Sequence, residues 1–254
     1  MPSFESSSAY AAFAHNVVQR ARYVRDEASD RFLGTLAAQA ADRVETLPTG
    51  MVLWRAALGH DWRDETDEGY TFQVPAPHPP SRMRPLSDRA KEGRANPKGI
   101  PVLYLATRRE TALAEVRPWI GTSVSAAQFR LVRELRIVDC TKHEKPCRRI
   151  FPGGVTPPEY WDANNWSDVD DAFSRPVTPS DDGAGYAPTQ VLAECFRAAG
   201  YDGLGYASAL GEGHNVALFD TSAAVIINCG LFDLKRIEFG FEESTNPYFC
   251  EAEV

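Results

Sequence analysis

Along the first fifty residues, apolar positions recur at helical spacing. Tyr10, Phe13, Val17, Ala21 and Val24 predict one amphipathic helix. Phe32, Leu33, Leu36, Ala40 and Val44 predict a second, which ends before Pro48-Thr49-Gly50. The pattern then changes. Residues 51–53 read as a short strand, and the stretch from there to Gly99 is rich in proline and charge. Within it, Ala76-Pro77-His78-Pro79-Pro80-Ser81 fits neither a helix nor a central strand. A loop of that length in a compact domain is commonly disordered or functional, often a lid.

Residues 102–106 form an apolar run between Gly99-Ile100-Pro101 and a charged segment, which predicts a buried strand. Period-two alternation sets Val102, Tyr104 and Ala106 on one face and Leu103 and Leu105 on the other. Thr107 with Glu110 three residues on has the form of a capping box, so a helix is expected to start there. Pro118 limits it to two or three turns, with Ala112, Leu113 and Val116 as its apolar stripe and Glu115 on the border. Strands follow near residues 128–132 and 135–139, then an irregular insertion over 151–187 with Trp161 and Trp166 among Asp and Asn. Pro188 opens a helix that Gly200 ends, and short strands near 203–207, 216–219 and 225–227 close the chain. Strands in runs, interrupted by few helices, make this an α+β protein. The expected division is a helical extension over 1–48 and a second domain over 49–254. The extension is expected to pack on that domain, its alternative use being a surface for a partner or a second copy.

Composition narrows the function. Twenty-seven Lys and Arg against thirty-five Asp and Glu give a net charge of −8, and no basic stripe is present, so direct nucleic-acid binding is not expected. No apolar run is long enough to span a bilayer, and the N-terminus lacks the basic and apolar regions of a signal peptide, so a cytoplasmic protein is expected. Five cysteines without paired spacing suit free thiols in a reducing compartment. Cys140-x2-His143-x3-Cys147 has metal-like spacing but no second pair of ligands, so no metal is expected. Gly203-x-Gly205-x-x-Ser208 is an incomplete dinucleotide fingerprint, and Ser208 lacks the Gly-x-Ser-x-Gly elbow of a serine hydrolase. His214 beside Asn215 reads as an exposed residue in a Gly-rich turn.

The richest chemistry lies in residues 93–118, GRANPKGIPVLYLATRRETALAEVRP. A guanidinium on a turn (Arg94) is a partner for phosphate. A tyrosine on a strand (Tyr104) offers a face to a flat heteroaromatic ring, and a carboxylate (Glu115) can face a developing cation. These needs meet in chemistry on a dinucleotide such as NAD, whose glycosidic bond breaks to leave a cationic ribose.

The run GR-x-NP-x-G-x-P-x-LYLA followed by TA-x-AEVRP resembles the core of the RES-domain family, named for an Arg, a Glu and a Ser. Trp54-Arg55-Ala56 matches the position of the family's first arginine, and GYAS-x5-HNVALF sets Ser208 at its serine. The resemblance spans about residues 50 to 220. It implies an ADP-ribosyltransferase-like core of mixed and antiparallel sheets with flanking helices, acting on NAD, commonly as a toxin paired with a protein antitoxin. It carries over Arg55, Arg94, Tyr104, Glu115 and Ser208 as active-site positions. On that basis Glu115 would stabilise an oxocarbenium-like C1′, and Arg55 and Arg94 would clamp the pyrophosphate. Tyr104 would stack on or flank the nicotinamide, and Ser208 would hydrogen-bond the ribose or amide. The catalytic set is Glu115, Arg55 and Tyr104. The acceptor stays open between water, phosphate as co-substrate, and a protein side chain, as does a non-catalytic nucleotide-binding scaffold. Arg82, Arg84, Arg89, Lys91 and Arg94 concentrate positive charge near the expected mouth, where an antitoxin carboxylate would meet it.

Overall fold

The computed structural model describes residues 2–86, 89–146, 155–175, 183–238 and 240–241. Helices α1 (Ala9–Gln19) and α2 (Glu27–Ala40) come first, and Asp26 caps α2 by accepting from the Ser29 amide at 2.9 Å. Tyr23 and Val24 are exposed, so the first helix ends at Gln19, well before the expected Val24. Val44, expected at the end of the second helix, instead begins strand β1 (Val44–Leu47). β2 runs over Val52–Leu58, longer than the 51–53 expected.

The stretch expected to be a long loop contains a hairpin, β3 (Asp61–Asp67) and β4 (Tyr70–Ala76), paired in register from Asp61↔Ala76 to Asp67↔Tyr70. It forms a two-stranded sheet of its own, which is how Pro75 is tolerated within a strand. Strand β5 (Leu103–Ala106) and helix α3 (Arg109–Glu115) follow, then β6 (Ser123–Leu131) and β7 (Leu135–Asp139).

The segment expected to be irregular holds a fourteen-residue helix, α4 (Trp161–Ser174). Its buried face carries Ala163, Trp166, Val169 and Phe173 at spacings of three and four, hidden in the sequence among Asp and Asn. Some of those polar residues hold the chain together. Asn165 accepts from the Tyr10 amide at 2.7 Å and donates to Ser6 O at 2.7 Å, and the Trp166 indole donates to Gln39 Oε1 at 2.7 Å. Helix α5 (Ala187–Ala198) and strands β8 (Gly203–Ala207), β9 (His214–Leu218) and β10 (Ala224–Asp233) complete the order. Among the described residues no helix is long and apolar enough to cross a membrane.

Eight strands form one mixed sheet in the order β1-β7-β8-β9-β5-β2-β6-β10, antiparallel except for β7 with β8. The parallel pair needs a crossover, and α4 and α5 lie in that connection. The α+β class, the mixed pairing and the flanking helices are as the sequence predicts. Each sheet face has its own core. Phe13, Leu36, Trp166, Phe173 and Phe196 of the helices join Val102, Leu204 and Ala217 on one side. Leu53, Leu103, Leu105, Phe129 and Leu218 gather around Met83 on the other. The alternation expected of β5 is realised: Val102 and Tyr104 face the helices, Leu103 and Leu105 the Met83 side. Helices α1 and α2 share the first of these cores.

Candidate active site

The central strands β9, β5 and β8 position the site. Asn215 on β9 is registered against Ala106 on one neighbour and Tyr206 on the other, and Tyr104 is registered against Ala217. A cleft of about 420 Å³ opens over these strands, with Arg55, Arg94, Tyr104, Glu115, Tyr206 and Asn215 among its walls. That volume falls within the range of small-molecule sites.

Glu115 ends α3 and is braced from two sides. Its Oε1 accepts from Ser208 Oγ at 2.7 Å and from Asn215 Nδ2 at 2.6 Å. Among the described residues, no hydrogen bond falls on Oε2. Ser208 is itself held by the Leu210 amide, at 3.2 Å from its Oγ. Helix α3 does not begin in the capping box expected of Thr107. Its N-cap is Arg108 without a side-chain cap, and Thr107 Oγ1 instead accepts from the His214 amide at 3.0 Å. This contact ties the start of α3 to β9, the strand that carries Asn215.

Tyr104 is committed at its hydroxyl. That oxygen donates to Asn96 Oδ1 at 2.7 Å and accepts from the Ala95 amide at 2.9 Å. Gln190 Nε2 completes the clamp by donating to the carbonyls of Gly93 and Asn96, both at 3.0 Å. The turn at Gly93 has to be glycine, because a Cβ there would lie 2.6 Å from the Tyr104 hydroxyl. The Gly93 to Asn96 turn is thus the socket of Tyr104. Burial raises the Tyr104 phenol above its ordinary value, so the hydroxyl stays protonated and able to donate. The ring still lines the cleft.

The two arginines differ in setting. Strands β2 and β5 share one registered pair, Trp54↔Ala106. Arg55, the next residue on β2, donates from Nη1 to Tyr104 O at 3.1 Å. Its Nε is buried without a partner, and no carboxylate pairs with it among the described residues. Burial pulls its guanidinium below the ordinary value. Arg94 donates from Nη2 to the carbonyl of Arg175 and also keeps a buried Nε without a partner. Two half-buried guanidinium groups with unmet donors form a ready anion site.

A second cleft, also about 420 Å³, adjoins the first through Arg55 and Tyr104, and Arg82, Arg84, Arg89 and Lys91 add to its wall. The positive cluster expected from the sequence therefore divides. Four of its members gather in this cleft with Arg55, while Arg94 borders the first. Arg84 is partly engaged, donating to Thr221 O at 3.2 Å and Ala224 O at 3.1 Å.

The structure brings Arg55, Arg94, Tyr104 and Glu115 to one cleft, and Ser208 reaches it through Glu115. His214 is exposed, as expected, while its buried neighbour Asn215 was passed over in the sequence. The available signal was a polar residue in the apolar run Asn215-Val216-Ala217-Leu218, at a position that burial turns inward. Tyr186 and Tyr206 were missed as well, and both line the cleft. Of the metal-like triplet, Cys140 is buried, His143 lies 3.6 Å from Asp170, and Cys147 lies outside the described residues. Among the described residues no group of three or more His, Cys, Asp or Glu could hold a metal ion.

A family model described as RES domain matches residues 52–231. No curated protein matches the chain. Among solved structures, the crystal structure of the M. tuberculosis MbcT–MbcA toxin–antitoxin complex is similar at 15% identity and a TM-score of 0.42, over 79% of this chain and 92% of that one.

Proposed function

The chain belongs to the RES-domain family, and on that premise we propose that it is an enzyme that cleaves the nicotinamide–ribose bond of NAD. The observation that carries this reading is Glu115, held by Ser208 and Asn215 in a cleft whose two arginines keep unmet N–H donors. A carboxylate braced on one oxygen has the other available to a ribose hydroxyl or to the cation that forms at C1′. A carboxylate beside the anomeric carbon favours an oxocarbenium-like transition state.

In this mechanism Arg94 and Arg55 hold the pyrophosphate through their free donors, and the Tyr104 ring flanks the nicotinamide. Ser208 acts through Glu115 rather than on the substrate directly, because its hydroxyl donates its hydrogen bond to the carboxylate. As the C1′–N bond breaks, its electron pair leaves with neutral nicotinamide. Water then adds at C1′ and gives ADP-ribose and a proton, or phosphate adds and gives the ribose 1-phosphate ester. The cationic cleft behind Arg55 and Tyr104 favours phosphate as the acceptor, since it can store an anion next to the reacting centre.

The toxin role rests on the family and on what such chemistry does to a cell. An enzyme that drains NAD harms its producer, so a protein antitoxin that covers the cleft is part of the proposal. Expression of the chain alone in a bacterium tests it. Arrested growth with a collapsing NAD pool is expected, with rescue by Glu115→Gln. Normal growth with abundant folded protein contradicts it.

A further inference from the structure

The active-site cleft has a continuation that lies partly outside the residues matched by the family. A chamber of about 790 Å³ lies between α1, α4 and the start of α5 and shares two wall residues with the cleft, Arg94 and Tyr186. Its α1 wall is Tyr10, Ala11, Ala14, His15, Val18 and Gln19, all before residue 52, where the family match begins. Its α4 wall includes Asp168 and Asp171, three residues apart and so on one helix face. Tyr10 packs against Phe13 and Phe32, which fixes its ring in place.

We propose that this chamber receives the adenosine half of the dinucleotide, so that the N-terminal extension takes part in choosing the substrate. The inference rests on the NAD reading above and goes beyond it. Arg94 stands where cleft and chamber meet, with a buried, unpartnered Nε, which is where the pyrophosphate of a molecule spanning both would lie. The chemistry on the far side suits a neutral nucleoside. Tyrosine faces beside small alanines make a slot for a flat base, and carboxylates accept from a ribose diol. The other neighbouring cleft has Arg82, Arg84, Arg89 and Lys91 on its wall beside Pro85, Leu86 and Val102, a concentration of cations that suits phosphate better than a neutral nucleoside. Binding energy from the adenosine half, remote from the broken bond, then positions C1′ against Glu115.

The test uses AMP as a probe of the chamber and nicotinamide mononucleotide as a substrate that lacks the adenosine half. Ala14→Trp fills the chamber from α1. It should weaken AMP binding by calorimetry at least about tenfold and reduce the preference for NAD over nicotinamide mononucleotide, in kcat/KM, by a similar factor. Asp168→Asn should lessen the discrimination between AMP and 2′,3′-dideoxy-AMP, with thermal melts verifying that both variants are folded. Unchanged AMP affinity and an unchanged preference in folded Ala14→Trp overturn the assignment while leaving NAD cleavage intact. Failure of the wild type to release nicotinamide from either nucleotide instead contradicts the NAD reading, and the assignment falls with it.

Discussion

Asn215→Ala isolates the brace on Glu115. Asn215 is 6% exposed and fixed by strand pairing on both sides, so its removal leaves the backbone of β9 in place. It deletes one of two donors to Glu115 Oε1, at 2.6 Å, while Ser208 retains the other at 2.7 Å. A hydrogen bond to a charged group contributes about 1.5–3 kcal/mol. If that orientation is used in the transition state, kcat falls by roughly ten- to hundredfold, since about 1.4 kcal/mol is a factor of ten. KM should move by much less, because Asn215 acts through the carboxylate and not on the pyrophosphate. Nicotinamide release followed by steady-state kinetics gives both constants. The decisive comparison is Asn215→Ala made in the Glu115→Gln background, where the brace has no charge left to position and no further loss is expected. An equal loss in both backgrounds would show that Asn215 acts elsewhere and would refute the reasoning.

Arg94→Lys replaces a planar fork by a point charge and should weaken NAD binding by about 1.5–3 kcal/mol in calorimetry; unaltered affinity would reduce Arg94 to a turn residue. Leu36→Ala, at a fully buried position of α2 within the helix-side core, should lower stability by about 2–5 kcal/mol in urea unfolding with one transition for the whole chain. A separate early transition would instead mean that α1 and α2 unfold independently. Burial alone would raise the Asp202 carboxyl, but hydrogen bonds from Arg133 and from the Arg136 amide outweigh it and hold the group below its ordinary value. Its contribution is therefore present above the unfolded value near pH 3.9 and lost as pH falls through the folded one. Asp202→Asn should flatten that acid limb of the stability curve, and an unchanged limb argues against the pairing.

The strands legible in the sequence were those whose burial is simple. β5, β7, β8 and β9 are short apolar runs closed by glycine or charge, and the alternation of β5 alone assigns its side chains to the correct cores. In the β3–β4 hairpin, β3 is largely exposed and polar and carries no alternation. Strand β4 does alternate, with Tyr70, Phe72, Val74 and Ala76 at every second position, a signal masked by Pro75 and the proline-rich run that follows. Helix α4 was hidden for a different reason. Asn165, Ser167 and Asp170 are buried on it, and Asn165 and Asp170 spend their polarity on partners distant in sequence, Ser6 O and the Ala207 amide, which blurs the apolar stripe. The three reactive-looking residues of the central motif were legible as chemistry, and the structure brings them to one cleft. Asn215 was not, because its role depends on β9 lying beside β5, a pairing of residues about a hundred apart. Tyr104 shows the limit in another way. Its ring was legible as a stacking face, but that its hydroxyl is spent on the Gly93 to Asn96 turn was not.

The account turns on one reaction, and the most direct measurement is mass spectrometry of NAD incubated with the purified chain, with and without phosphate, beside Glu115→Gln. The account predicts free nicotinamide together with ADP-ribose, replaced by its 1-phosphate ester when phosphate is present. It also predicts turnover at least about a hundredfold slower in Glu115→Gln, from loss of the charge facing C1′. Intact NAD in the presence of folded wild-type protein, or equal turnover by the Glu115→Gln variant, would contradict it.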